Sequence, residues 1–283
     1  MIIHATLAAA DGAPPSVTQA LVLGLLQGLA EFLPISSSAH LALAPWALGW
    51  PDPGLAFDVA LHFGTLVAVL WYFRREWIML LRAALEIVTT RRASTTEQRR
   101  VIFLLVATVP GALAGLALER AAESTFRNPA IIGVALIAMG IALWLVDRYV
   151  AQRRHLTAMR MRDAVLIGVS QAFAIVPGFS RSGMTIMVGR ALSFDREGAA
   201  RFSFLMSMPI IAGAALLKVP HVIRAQGLNG SLLVGVLAAA ISGWLAISVL
   251  LRFVSRHSYG AFAVYRVVLG LGVIALFLAR GGG

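Results

Sequence analysis

The sequence contains no cysteine, which excludes disulfides, thiolate nucleophiles and thiolate metal sites. Charge is scarce as well. Only 13% of the 283 residues are Asp, Glu, Lys or Arg, about half of what a soluble domain carries. Acidic residues are the scarcest, 13 against 24 Lys and Arg, which leaves a formal net charge of +11. In a soluble chain that excess would suggest nucleic acid. Here the basic residues stand mostly between apolar runs, so membrane topology accounts for them better and no nucleic-acid partner is expected. The opening stretch, MIIHATLAAADGAPPSV, lacks a basic region followed by a long apolar core, so a cleaved signal peptide is not expected.

What is abundant is hydrocarbon. Hydrophobic residues make up 59% of the chain and the mean hydropathy is +0.83. Six apolar runs cover residues 57–73, 101–118, 130–146, 200–217, 231–251 and 260–279. Each is near the roughly 20 residues that a helix needs to cross a bilayer. The runs are continuous rather than alternating, which argues against a β-barrel. Connections 74–100, 148–162 and 252–258 are rich in arginine, whereas the alternate ones carry only Arg120 and Arg127, or Lys218 and Arg224. The positive-inside rule places the arginine-rich connections in the cytoplasm, and six spans then put both termini outside.

Two further apolar regions, 16–50 and 163–192, are broken near their middles by proline and serine clusters. Each must return to the side it started from, so each reads as a re-entrant hairpin of two half-helices. Broken backbone at membrane depth is tolerated only where protein or a wet cavity surrounds it. The expected fold is therefore all-α: a polytopic membrane protein with six transmembrane helices and two re-entrant hairpins, forming one integral membrane domain over 1–283.

The hairpins align without a gap. GLLQGLAEFLPISSSA (24–39) over GVSQAFAIVPGFSRSG (168–183) matches Gly24 with Gly168, Gln27 with Gln171, Ser36 with Ser180 and Ser38 with Ser182. Three spans follow each hairpin, an odd number, so the second copy enters from the opposite face. This is the pattern of an inverted-topology repeat, at about 16–147 and 163–280, whose broken segments meet near the midplane.

The polar residues concentrate at these breaks. In QGLAEFLPISSSAH, Gln27 and Glu31 share one helix face, Pro34 ends the half-helix, and Ser36, Ser37 and Ser38 can cap the next, with His40 in its first turn. In PGFSRSGMT, Gly178 and Gly183 permit close backbone approach, Ser180, Ser182 and Thr185 offer hydroxyls, and Arg181 offers a fork matched to phosphate oxygens. An ion pair with Glu31 is the plainer explanation for Arg181 and is compatible with a function. Together the clusters suit a phosphate-bearing ligand with a lipid tail. They also allow phosphoryl chemistry, with a serine nucleophile beside His or Glu and Arg181 with helix N-termini stabilising the transferring group. A G-x-S-x-G elbow is excluded by Ser182, and the acid-phosphatase spacing of lipid phosphatases fails at Met187.

At QGLAEFLPISSSAHL and PGFSRSGMTI the chain closely resembles the two signature motifs of the undecaprenyl-diphosphate phosphatase, or bacitracin-resistance, family of bacterial envelopes. FDVALHFGTLVAVLWYF (57–73) and REGAARFSFLMSMPIIAGA (196–214) resemble its intervening spans, so the likeness covers nearly the whole chain. The resemblance implies hydrolysis of a C55 polyprenyl diphosphate to the monophosphate and phosphate, at the outer side of the bacterial cytoplasmic membrane. That reaction recycles the lipid carrier of peptidoglycan and other envelope polymers. It also implies Mg²⁺ or Ca²⁺ as cofactor, with Glu31 as a metal ligand. By position, Glu31, Ser37, His40 and Arg181 match the residues tied to activity. Ser37 resembles the nucleophile, and His40 is the rival for that role or the general acid–base. Gln27, Ser36, Ser38, Gly178, Ser180, Ser182, Gly183 and Thr185 are expected to contact substrate. Many members carry Glu where Gln27 stands, so a second metal carboxylate must come from elsewhere. Asp58 is a weak choice for it, and His62 is expected to be structural or substrate-lining. Besides the lipid substrate, the expected partners are membrane lipids; a homodimer is compatible with the sequence but not specified by it. The alternative function is a carrier for polyprenyl phosphate, an activity that inverted repeats of broken helices also serve.

Overall fold

The computed structural model describes residues 14–118, 121–122, 125–227 and 229–281. The opening stretch up to residue 13, on which the signal-peptide expectation rests, and Arg120 lie outside the described residues. Among the described residues the chain is helical, with no strand.

Each expected hairpin is two short helices. Helix α1 (Val17–Phe32) starts at a capping box between Ser16 and Gln19 and stops just before Leu33 and Pro34. Helix α2 (Ser37–Leu48) follows at once. Sixteen and twelve residues reach only about 24 and 18 Å, too short for a hydrocarbon core of about 30 Å. The later hairpin repeats the design. Helix α7 (Met161–Ser170) runs into a 3-10 turn, Gln171–Ile175, and α8 (Arg181–Ala191) follows the break.

The spans surround these hairpins. They are α5 (Thr96–Ala117), α6 (Pro129–Tyr149), α9 (Arg196–Gln226), α10 (Gly230–Val254) and α11 (Gly260–Ala279), all long and apolar enough to cross a membrane. The sixth is α3 (Leu55–Tyr72), which qualifies together with α4 (Arg74–Thr90), from which it is bent by 83°. The protein is thus a multi-pass helical membrane protein. Two boundaries differ from expectation. Helix α9 extends over 31 residues, well beyond 200–217. The arginine-rich connection after residue 73 contains α4, whose Leu80 and Ala83 are buried while Ile78, Leu81, Leu85 and Val88 are exposed. With apolar side chains on two faces and arginines between them, α4 has the pattern of a helix lying along the interface rather than crossing it.

Packing follows the alignment. Helix α1 packs mainly on α10, and its counterpart α7 packs mainly on α5. The aligned glycines make both crossings possible. A Cβ on Gly24 would collide with the Gly235 carbonyl on α10, and one on Gly168 would lie 2.7 Å from Ala107 Cα on α5. Helix α6 pairs with α11, and α3 with α9 and α10. The largest hydrophobic cluster joins Phe32 at the end of α1 to Phe202, Phe204 and Met206 of α9, where Phe32 and Phe204 meet edge to face.

Beyond the breaks, a polar knot ties the arginine-rich ends together. Buried Asp147 at the end of α6 accepts from Arg190 Nε at 2.9 Å, Arg196 Nε at 2.8 Å and the Tyr259 amide at 2.9 Å. Arg190 also donates to the carbonyls of Phe194 and Val150. One carboxylate therefore joins the ends of α6, α8, α9 and α11.

Candidate active site

The two breaks meet. Ser36 and Ser180, the aligned serines, are the N-caps of α2 and α8, and each accepts a backbone N–H three residues on. Both have positive φ, 78° and 69°, a conformation rare for residues other than glycine. That strain folds each break tightly enough to turn the chain. The tips also bond to each other. The Gly178 amide donates to Ser36 Oγ at 3.0 Å, and Ser182 Oγ donates to the Leu33 carbonyl at 3.2 Å. Gly178 is confined by α6, because a Cβ there would lie 2.8 Å from the Ile132 carbonyl.

Beside the tips lies a cavity of about 300 Å³ lined by Glu31, Ser37, Ser38, His62, Gln171, Ser180, Arg181 and Ser182. Apolar side chains of α3, α9 and the 3-10 turn, including Val59, Ile175, Ile210 and Ile211, complete the wall with Gly111 and Gly115 of α5. Glu31 is its centre. Oε1 accepts from Arg181 Nη2 at 2.5 Å, across the two hairpins. Oε2 accepts from Ser37 Oγ at 2.6 Å and Gln27 Nε2 at 3.1 Å, and His62 Nε2 stands 3.4 Å away. His62 Nδ1 lies 2.7 Å from the Asp58 carbonyl. A proton on Nδ1 donated to that carbonyl leaves Nε2 facing Glu31. The ion pair expected as the plainer account of Arg181 is present, and it sits in the cavity beside a serine hydroxyl. The arrangement places a nucleophile, a proton acceptor and a cationic fork around one space.

The other expected residues take different places. Ser36, Gly178 and Gly183 build the tips rather than line the cavity. Thr185 Oγ1 bonds the Arg181 carbonyl at 2.8 Å and Ser203 Oγ at 2.7 Å, which fixes the first turn of α8 from behind. His40 is absent from the cavity wall. Its Nδ1 lies 2.7 Å from the Ser36 carbonyl and its Nε2 2.7 Å from the Tyr265 hydroxyl, and its ring stacks on Tyr265. It borders a second, apolar cavity with Leu43, Trp46 and Val273. In this structure both His40 ring nitrogens are engaged on the far side of α2, away from the cavity that holds Ser37. The imidazole at Glu31 is His62, for which the only sequence signal was a polar residue inside an apolar span. Asp58 is held by Arg127 at 3.3 Å, together with Asp52.

The expected cation can be tested against these donors. Among the described residues no three His, Cys, Asp or Glu side chains gather as a metal cage. Among the described residues Glu31 is the one carboxylate that lines the cavity. A single carboxylate fits only a hard cation that takes most of its ligands from substrate phosphates and water, as Mg²⁺ does.

Comparison with known proteins agrees with the geometry. The sequence pattern described as bacitracin resistance protein BacA matches residues 20–272. An undecaprenyl-diphosphatase of Gemmatimonas aurantiaca is 57% identical over 94% of this chain and 99% of its own length. Proteins of the same name from Moorella thermoacetica and Pelotomaculum thermopropionicum are 49% and 50% identical, again over 94% of this chain and 99% and 98% of their own lengths. With one pattern spanning both hairpins and most of the spans, the chain belongs to the bacitracin resistance protein BacA family.

Proposed function

We propose that this protein hydrolyses undecaprenyl diphosphate to undecaprenyl phosphate and inorganic phosphate, regenerating the lipid carrier of envelope polymers. The observation that carries the reading is the Ser37–Glu31–Arg181 constellation, built from both hairpins in a cavity with apolar walls. The headgroup enters between the tips, and the first isoprene units lie against Ile210 and Ile211. Arg181 turns from Glu31 to the phosphoryl oxygens, where its fork and the N–H groups starting α2 and α8 hold the charge. Glu31 is then free to take a proton.

Ser37 Oγ attacks the terminal phosphorus and passes its proton to Glu31 Oε2. The bond from that phosphorus to the bridging oxygen breaks, and the electron pair leaves on undecaprenyl phosphate. Water then attacks the phosphoserine. The Oγ–phosphorus bond breaks as the water oxygen bonds to phosphorus, Oγ recovers the proton from Glu31, and both of the water's protons leave with inorganic phosphate. Glu31 would hold Mg²⁺ or Ca²⁺, which supplies charge neutralisation on the diphosphate when bound. Hairpins and spans form two inverted repeats, about 16–147 and 163–280. Crossings of matched helices at matched glycines support that reading. Arginine distribution supports a place in the bacterial cytoplasmic membrane, with the cavity opening outward and both termini outside.

The test is phosphate release from undecaprenyl diphosphate by purified protein in detergent, with and without EDTA. The expected result is release that EDTA suppresses, that Mg²⁺ or Ca²⁺ restores, and that Ser37→Ala abolishes. Full turnover by Ser37→Ala would remove the nucleophile. No release by folded protein under any metal condition would move the function to transport.

A further inference from the structure

Arg266 of α11 is fully buried, and no sequence motif singled it out. Its guanidinium reaches both hairpin breaks. Nη1 donates to the Pro34 carbonyl at 2.8 Å, and Nη2 donates to the carbonyls of Gly178 and, at 3.2 Å, Phe179. A Cβ on Gly183, in the first turn of α8, would lie 3.2 Å from Nη1. Arg266 therefore stands directly behind the tips that start α2 and α8.

Its partners are all neutral. The other arginines at the site or deep in the fold have carboxylates: Arg181 has Glu31, and Arg190 has Asp147. Among the described residues none forms an ion pair with Arg266, and its Nε has no partner at all. A guanidinium stays charged in proteins, and burying one without a counter-ion is costly. Three carbonyl bonds position it, yet a neutral donor could make such bonds. Charge balance at the site points further. Glu31 and Arg181 pair with each other, so Arg266 and the positive ends of two half-helices place unpaired positive charge behind the tips.

We propose that Arg266 is a positioning residue whose fixed charge sets the affinity of the hairpin tips for a diphosphate anion, the substrate headgroup being its missing counter-ion. The inference rests on the phosphatase reading for the identity of the anion. A fixed unit charge close behind an anion site, at an effective dielectric near 20, changes affinity by about tenfold or more.

The test is binding of radiolabelled inorganic pyrophosphate to purified protein in detergent, which needs no turnover. It is run for wild type, Arg266→Lys, Arg266→Met and Arg266→Gln, beside thermal unfolding and steady-state kinetics. Met and Gln should weaken pyrophosphate binding, and raise KM for the lipid, by about tenfold or more, with kcat changed less. Lys should stay within about threefold of wild type, although it cannot reproduce the fork. Gln keeps a donor for the carbonyls and covers the case in which Met fails to fold. Equal losses in Lys and Gln, or unchanged binding in folded Gln, would overturn the proposal. Pyrophosphate binding that depends on Arg266 in a protein releasing no phosphate would sink the phosphatase reading alone.

Discussion

Gly28→Ala is a one-carbon test of how the fold positions the chemistry. Gly28 follows Gln27 on α1 and faces α10. A Cβ there would collide with Ser242 Oγ and lie 2.5 Å from the Ala239 carbonyl oxygen and 2.6 Å from the Gly243 amide, where ordinary contact begins at 3.4 Å. Two of these three atoms are backbone, so no rotamer change relieves the clash. The helices must separate by roughly 0.9 Å, and overpacking of this kind costs about 1–3 kcal/mol. Glu31 lies one turn further along α1, and its bond to Arg181 crosses to the other hairpin. A shift approaching 1 Å at a reacting group costs on the order of 100-fold in rate. Gly28→Ala should therefore lower kcat by about 10- to 100-fold and the unfolding temperature by about 2–10 °C. Phosphate release and thermal unfolding in the same detergent check both. Gly272→Ala, whose Cβ would meet nothing within 4 Å, is the control and should behave as wild type. Wild-type turnover and stability in Gly28→Ala would refute the claim that the α1–α10 contact fixes the site.

Other substitutions address other parts of the account. Asp147→Asn leaves Arg190 and Arg196 without their shared carboxylate and should destabilise the protein by about 3–5 kcal/mol, read as a lower unfolding temperature. His62→Ala should reduce kcat at least about tenfold, because it removes the imidazole beside the Glu31 oxygen that Ser37 uses; unchanged kcat would make His62 a passive wall. Ser36→Ala removes an N-cap and the bond from Gly178 at once, and should cost about 1–2 kcal/mol or more of stability, with a loss of turnover as the tips part.

The sequence carried the architecture well, because its evidence is local. Apolar run length and proline at the breaks each depend on neighbouring residues only. Gly24 and Gly168, matched in the sequence, both face a crossing helix, and Ser36 and Ser180, likewise matched, both cap a half-helix. Helix α4 was missed because its arginines read as a cytoplasmic connection, and its two apolar faces emerge only from which side chains the fold buries. Long-range partners were harder. His40 and His62 are both lone imidazoles in apolar segments, and nothing along the chain says that α2 turns one away while α3 turns the other toward Glu31. Arg266 sits in an unremarkable span, and its role depends on carbonyls more than 80 residues away in sequence.

The central claim is that Ser37 and Arg181, from opposite hairpins, serve one phosphoryl-transfer step. The most direct measurement is phosphate release from undecaprenyl diphosphate by Ser37→Ala, Arg181→Ala and the double variant, each confirmed as folded. Residues acting as a unit are strongly non-additive, so the double variant should be no slower than the slower single variant. Losses that multiply in the double variant would place the two residues in independent roles and contradict the account.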